Sequence, residues 1–411
     1  MMPKTYKLPA FSGKKLQPPV CKKGKILRTE NFSQKAAGLK PFVTMDILER
    51  AQELERKGRS IIHLAVGEPD FATPTPIKKA AAEALQKDLT HYTHSLGTYG
   101  LRQTIADYYL KRYRVRIVPE QILVTSGTSP ALMLACAALL NPGDRVIVSN
   151  PGYACYGNFI TYCDGAPQYI KVYEDNGFQF EPQALKPQLT PQTRAILINS
   201  PANPTGNLLE VEQMRELAEL GPMILSDEIY HGLVYKGEAH SILEFTDNAF
   251  VFNGFSKLYA MTGWRLGYLI APLRYMRTLQ TLQQNFMISA SHFGQEAAIT
   301  ALTSQEVAAE LENMKLIYNE RRRFMLRRVR EIGLQVATEP TGAFYIFANA
   351  KEFTADSYAF SFEILEKAGV GVTPGIDFGS NGEGYLRFSY ANSLENIAEG
   401  MKRLEIFFKS R

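Results

Sequence analysis

From Ile61 to about Ala271 the chain alternates short apolar runs with segments of helical spacing, and this alternation restricts the fold more than any other feature. IIHLAVG opens the series. ILVT follows, with a helix starting near Thr128, and RVIVS is followed by YACYGNFITYC. QYIKV, RAILIN, a helix from Glu210 to Leu220, MILS, FVFN and LGYLIA complete it. Short β-rich runs separated by helices imply an α/β fold with a mainly parallel sheet covered by helices.

The pattern changes after about Gln280. A long charged helical stretch runs from Ser304 towards Ile332, then come FYIFA, a helix near Ser357–Ala368, GVGVTPG, YLRFSY and a closing helix from Ser393. This is an α+β layout. Near the start, Thr44 precedes MDILERAQELERKG, whose Ile47, Leu48, Ala51 and Leu54 have helical spacing, with Gly58 as the stop. At 411 residues the chain exceeds what one core usually supports. The expected division is a basic arm over 1–30, a smaller discontinuous α+β domain from 31–63 and 291–411, and a large domain over 64–290.

Composition excludes several classes. The longest apolar run, Ala131–Leu140, is far short of the roughly 20 residues needed to span a bilayer. Four cysteines (Cys21, Cys136, Cys155, Cys163) form no C-x-x-C pair, so reduced thiols in a cytoplasmic protein are expected. His91 and His94 lie close but lack companion ligands, so no metal site is expected. The net charge is only +5, concentrated in eight Lys/Arg between Met1 and Arg28. That segment reads as a flexible solvated arm, not a nucleic-acid or targeting element, and its Ser12–Lys15 S-x-x-K spacing has nothing to fix its geometry.

Four loops that follow strands carry the chemistry. Ser126-Gly127-Thr128 lies between ILVT and an apolar helix. Free N–H groups, hydroxyls and a permissive glycine there suit a phosphate, although alone they describe an ordinary helix cap. No nucleotide-binding glycine fingerprint follows any strand. In NSPANPTG, two prolines and a glycine hold Asn203 in a fixed turn. In SDEIY, Asp227 needs a cationic partner if buried, and Tyr230 follows it. In NGFSKLYAMTGWR, Lys257 and Arg265 stand with no carboxylate nearby. A lysine able to form a Schiff base, an aspartate for a pyridinium nitrogen and a cationic phosphate cup together describe pyridoxal 5′-phosphate. Lys257 would hold the aldehyde and Asp227 would keep the ring nitrogen protonated. Asn203 and Tyr230 would donate to the phenolate oxygen, and Arg265 would neutralise the phosphate.

These loops, together with GEPDF (Gly67–Phe71), YTHSLGTYGLR (Tyr92–Arg102), NPGY (Asn150–Tyr153) and LRFSYA (Leu386–Ala391), occur in the order found in class I/II aminotransferases of fold type I. The chain resembles that family from about Gly38 to its end. The resemblance implies that Tyr153 stacks on the cofactor ring. It also implies that Arg387, with Asn203 and the Gly67 backbone, binds the substrate α-carboxylate. Tyr92 would reach the phosphate of a partner subunit in a homodimer. Two positions depart from common patterns. Gly254 stands where many members have a phosphate-binding serine, and Ser129 where some acid-selective members have a lysine.

The activity so implied is ping-pong transfer of an amino group from an L-amino acid to a 2-oxo acid, 2-oxoglutarate being the expected acceptor. Phe71, Tyr153 and Tyr259 suggest a pocket for neutral side chains. A carbon–sulfur β-lyase of the same fold would share the cofactor residues, and a non-catalytic regulator using the basic arm is a further alternative.

Overall fold

A computed structural model describes residues 33–411, so the expected basic arm, with its S-x-x-K spacing, lies outside the described residues. A short parallel pair joins β1 (Ile62–His63) to a strand near the C-terminus. The large sheet has seven strands. They are β2 (Ile122–Thr125), β3 (Arg145–Asn150), β4 (Ala166–Lys171), β5 (Thr193–Asn199), β6 (Met223–Asp227), β7 (Ala249–Gly254) and β8 (Gly267–Ile270). Their order is β2-β8-β7-β6-β5-β3-β4.

Neighbours from β4 through β7 are parallel, and β8 alone runs antiparallel to both its neighbours. The reason lies in the β7–β8 connection. A parallel return needs a long crossover, usually a helix. Here the chain makes only a short 3₁₀ turn, Thr262–Trp264, and comes straight back. Lys257 and Arg265 therefore sit on one return loop at the end of β7. All of β2, β6, β7 and β8 is buried, as expected for strands with both faces covered. The helix Thr128–Leu139, containing the longest apolar run, packs into this core through Leu132, Ala135 and Leu139.

The C-terminal region forms a second sheet from β9 (Tyr345–Asn349), β11 (Thr373–Pro374) and β12 (Tyr385–Ser389), in the antiparallel order β11-β12-β9. β10 (Val370–Gly371) is the partner of β1. Helices Gln305–Glu331, Ser357–Ala368 and Leu394–Lys409 border it, capped by the side chains of Ser304, Asp356 and Ser393. The first long helix, Val43–Arg56, packs Ile47, Ala51 and Leu54 against Ile61 and Leu365. The helix His292–Thr303 lies beyond the boundary expected at residue 290. Its Ala297, Ala298 and Ala301, with Val307 of the next helix, join the core of Ile77, Leu101 and Ile105.

One local expectation is corrected. Thr44 lies inside the first helix and does not precede it. No neighbouring side chain caps this N-terminus. Asp377 does so from the far end of the chain, accepting from the N–H groups of Val43 (2.9 Å) and Thr44 (3.1 Å) and from Thr44 Oγ1 (2.9 Å). A carboxylate satisfies orphan N–H groups and the positive helix end together.

Candidate active site

Strand order alone brings the four loops together. β5, β6 and β7 are adjacent and parallel, so Asn199–Asn203, Asp227–Tyr230 and Lys257 emerge along one edge, the usual site position in such sheets. There they bound a cavity of about 610 Å³ that also takes in Thr128, Tyr153, Arg265 and Arg387.

Lys257 Nζ donates to the carbonyl of Gly67 at 2.7 Å and lies 6.0 Å from the Tyr230 ring centroid. Burial pushes its pKa down to about 8, with Glu68 opposing and Arg387 adding to the shift. A lysine so tuned carries an appreciable neutral fraction near pH 7–8 and can act as a base. Gly67 has no room for a side chain, because a Cβ there would run into Tyr345 Oη.

Asp227 ends β6 and is buried. Burial raises its carboxyl to about 6, opposed by donation from Tyr156 Oη (2.7 Å) and the Ile229 N–H (3.1 Å) and by the charge of Lys257. A carboxylate with so large a desolvation cost is prepared for a cation in the cavity. Behind it, Asn199 donates to the Asp227 carbonyl (2.9 Å) and accepts from the Asn203 N–H (2.8 Å), tying two of the loops together. Tyr230 Oη and Tyr345 Oη share a hydrogen bond of 2.8 Å.

Arg265 sits at the opposite end with φ +51°, donating to the Thr262 carbonyl at 3.1 Å. Its Nη2 lies 2.6 Å from where a Cβ at Gly127 would stand, so the glycine lets the guanidinium close over the turn. The missing serine at Gly254 has a steric cause. A Cβ there would lie 2.9 Å from Gly267 Cα, and one at Gly267 would lie 2.9 Å from the Thr128 nitrogen. Bare backbone stacks from β7 through β8 to the turn, leaving Arg265, Thr128 and main-chain N–H groups as the donors for an anion.

Arg387, on β12, is 2% exposed. Its Nη1 donates to Asn203 Oδ1 at 2.8 Å, its Nη2 to the Ala65 carbonyl and to Thr373 Oγ1, and its Nε has no partner. All these partners are neutral. A guanidinium this deep, lining a cavity with only neutral partners, suits an anionic ligand such as a carboxylate.

Not every expected residue lines the cavity. Ser126 does not, although Thr128 and Ser129 do. Tyr92 is 80% exposed and is not part of the lining. Phe71 lines a neighbouring cavity, and Tyr259 is packed against Phe255 in the core, so neither forms the expected neutral wall. That wall comes from Phe42, Met45, Leu48, Val66 and Leu132. Tyr153 lies in the lining, edge-on to Phe42 and Tyr156.

Sequence reasoning missed Tyr156, Tyr345 and Asn199. Asn199 was detectable as a polar residue closing an apolar strand. Nothing in the local sequence marks the two tyrosines. The ensemble fits a phosphorylated pyridine aldehyde: an enclosed amine, a buried carboxylate needing a cation, and a glycine turn under an arginine.

The family model for aminotransferase class I and II matches residues 59–404. The (5-formylfuran-3-yl)methyl phosphate transaminase of Methanocaldococcus jannaschii is 41% identical over 92% of this chain and 99% of its own length. An aspartate aminotransferase of Pyrococcus horikoshii is 39% identical over 88% and 93%. The crystal structure of a Methanococcus jannaschii protein described as similar in its active site to kynurenine aminotransferases superposes with a TM-score of 0.86 at 41% identity, covering 92% of this chain and all of that one. With the family model spanning residues 59–404 and relatives this similar over nearly the whole chain, the chain belongs to the class I and II aminotransferases of fold type I and is a transaminase of the pyridoxal-phosphate-dependent kind.

Proposed function

We propose that this transaminase holds pyridoxal 5′-phosphate through Lys257, Asp227, Tyr230, Asn203, Tyr153, Arg265 and the Ser126–Thr128 turn. In this reading it moves the amino group of a broad set of neutral L-amino acids to 2-oxoglutarate. The observation that carries the reading is the enclosed Lys257 amine, tuned to about 8, placed between two arginines that have no carboxylate partner in the cavity.

When bound, the cofactor supplies the electron sink for charge developing at the substrate α-carbon. The protein does the rest. Arg387 takes the α-carboxylate through its guanidinium, with Asn203 Oδ1 fixing the planar group and the Gly67 backbone closing the far side. Lys257 Nζ would take the α-proton and return it to the carbon on the far side of the substrate nitrogen. Asp227 would keep a proton on the cofactor's ring nitrogen, and Tyr230 Oη would donate to its phenolate oxygen. The same groups serve the second half-reaction with the oxo acid, giving ping-pong kinetics.

The relatives' names range from a furan phosphate to aspartate, so donor choice is read from the walls. Ser129 supplies no cation, and the Phe42, Met45, Leu48, Val66 and Leu132 wall supports neutral side chains. A panel of donors in single-turnover format, followed by amino transfer to 2-oxoglutarate, tests this. Alanine, methionine and phenylalanine should at least match aspartate. An advantage for aspartate of several orders of magnitude would overturn the neutral-donor reading, and pyruvate plus ammonia from a cysteine conjugate would favour a lyase.

The active unit in this reading is a homodimer. Tyr92 is highly exposed, and Thr93 bonds Ser289 next to exposed Ile288, leaving an apolar face at Tyr92, Tyr99, Phe286 and Ile288 that suits a second copy. Tyr92 would reach the partner's phosphate. Mixing Tyr92→Phe with Lys257→Ala protein should regain activity in hybrids, and no gain would refute the cross-interface role. Three free cysteines and no helix long and apolar enough to cross a membrane, among the described residues, support a cytoplasmic setting. The division into a large domain over 64–290 and a smaller discontinuous domain from 31–63 and 291–411 is part of the same reading.

A further inference from the structure

The Gly67–Thr73 loop is tied to the lysine-bearing loop repeatedly. Gly67 accepts from Lys257 Nζ, and Glu68 accepts from Thr262 Oγ1. Thr73 Oγ1 donates to the Ala260 carbonyl at 2.6 Å and accepts from Trp264 Nε1 at 3.0 Å. Those partners all fall between Lys257 and Trp264.

From the other side the same loop is gripped by the helix Gln305–Glu331. Arg321 Nη1 donates to Asp70 Oδ1 at 2.8 Å, and its guanidinium lies 5.0 Å from the Phe71 ring centroid. Phe71 in turn meets Tyr318 edge-on at 5.1 Å. Arg321 is only 8% exposed, and its helix is anchored by buried Met314, Tyr318 and Met325. Arg321 is largely desolvated while Asp70 keeps part of its carboxylate exposed, so the pair is anchored mainly by the buried arginine and its aromatic neighbours.

We infer that Arg321 and Asp70 are positioning residues for the transamination: they fix the Gly67–Thr73 loop, and through it the Gly67 main chain and the Lys257 amine that bonds it. The inference rests on the proposed reading in which the substrate carboxylate lies between Arg387 and Gly67. Arg321 touches neither substrate nor cofactor. Its effect is transmitted through Asp70 across three residues of backbone to Gly67, where a displacement well under an ångström changes the fit to a carboxylate.

The test uses cofactor-loaded enzyme and 3-phenylpropionate, an unreactive carboxylate read by the visible absorbance of the bound cofactor. Asp70→Asn should raise the probe Kd and the donor KM about 10-fold while kcat falls less than about threefold. It should also move the pH midpoint of the visible absorbance by at least about half a unit, as the Lys257 surroundings change. Arg321→Lys, which keeps the charge, should show a smaller change in the same direction. If Asp70→Asn fails to fold, Arg321→Lys alone decides. A lowered melting temperature with unchanged Kd and midpoint in either variant would make the pair merely structural and overturn the inference. Arg387→Lys is the control: if it too leaves probe binding unchanged, the carboxylate assignment falls, whereas a loss there with none at Asp70 and Arg321 sinks this inference alone.

Discussion

The floor of the cavity takes its groups from the ends of adjacent strands in one sheet, whereas the outer wall is assembled from a helix near one end of the chain and a strand near the other. On the floor, Asp227 is register-paired with Asn199 and with Phe252 of β7, so the spacing of the loops is set by the ladder itself. On the wall, Met45 and Leu48 ride on a helix whose N-terminus is held by Asp377, Phe42 stands just before it, and Arg387 comes from β12. A side-chain bond of 3.2 Å from Arg387 to Thr373 Oγ1, and a longer one of 3.5 Å from Thr44 Oγ1 to Thr373 Oγ1, link the two parts of the wall. The difference teaches where each task is placed. Groups that every donor needs, Arg387 included, stand on strands or at their ends, and the apolar groups that choose among donors stand on a helix held by a few side-chain contacts.

If that division is right, damage to the floor or to Arg387 should impair every donor, and damage to the helix of the wall should sort donors. The largest effect is expected from Lys257→Ala. It removes the base and should reduce turnover by about 10⁴-fold or more for every donor, with cofactor still retained through the Arg265 end. Substantial activity in a steady-state assay would mean another group moves the proton. Asp227→Ala should come next, lowering kcat about 10²–10³-fold with a smaller loss of cofactor affinity, because the lost charge matters most when the carbanion forms. Normal kcat with weak cofactor binding would reduce Asp227 to an anchor. Met45→Glu should have the smallest effect, and it sharpens the comparison most. It should lower kcat/KM for phenylalanine about 10-fold while alanine changes less than about twofold. Equal losses for both donors would show that the wall does not discriminate.

The floor was far more legible in the sequence than the wall, for a physical reason. A strand followed by a polar loop is a local signal, and adjacent parallel strands deliver their loops to one edge, so Lys257, Asp227, Asn203 and Arg265 could be brought together from the sequence alone. Arg387 was reached through the family resemblance carried by LRFSYA. Phe42, Met45 and Leu48 carry no mark of a site, because apolar residues at helical spacing describe a core face equally well. Phe71 and Tyr259 were expected in the lining for the opposite reason: proximity in sequence to site residues says nothing about which way a side chain is packed. The cap supplied by Asp377 across almost the whole chain is invisible to local reading, which is why Thr44 was placed one step outside its helix. Gly254 is a different lesson. Its departure from the serine pattern reads as a lost donor, but the close approach of Gly267 shows that the backbone leaves no space there for a side chain.

The central claim is that Lys257, and no other lysine, is the residue to which pyridoxal phosphate is joined in the resting enzyme. Borohydride reduction of the purified, yellow protein, followed by proteolysis and mass mapping, measures this directly. The account predicts one stoichiometric reduced adduct on the peptide containing NGFSKLYAMTGWR, at Lys257, and its absence after Lys257→Ala. An adduct on a different lysine, or no reducible chromophore in protein supplied with the cofactor, would contradict it.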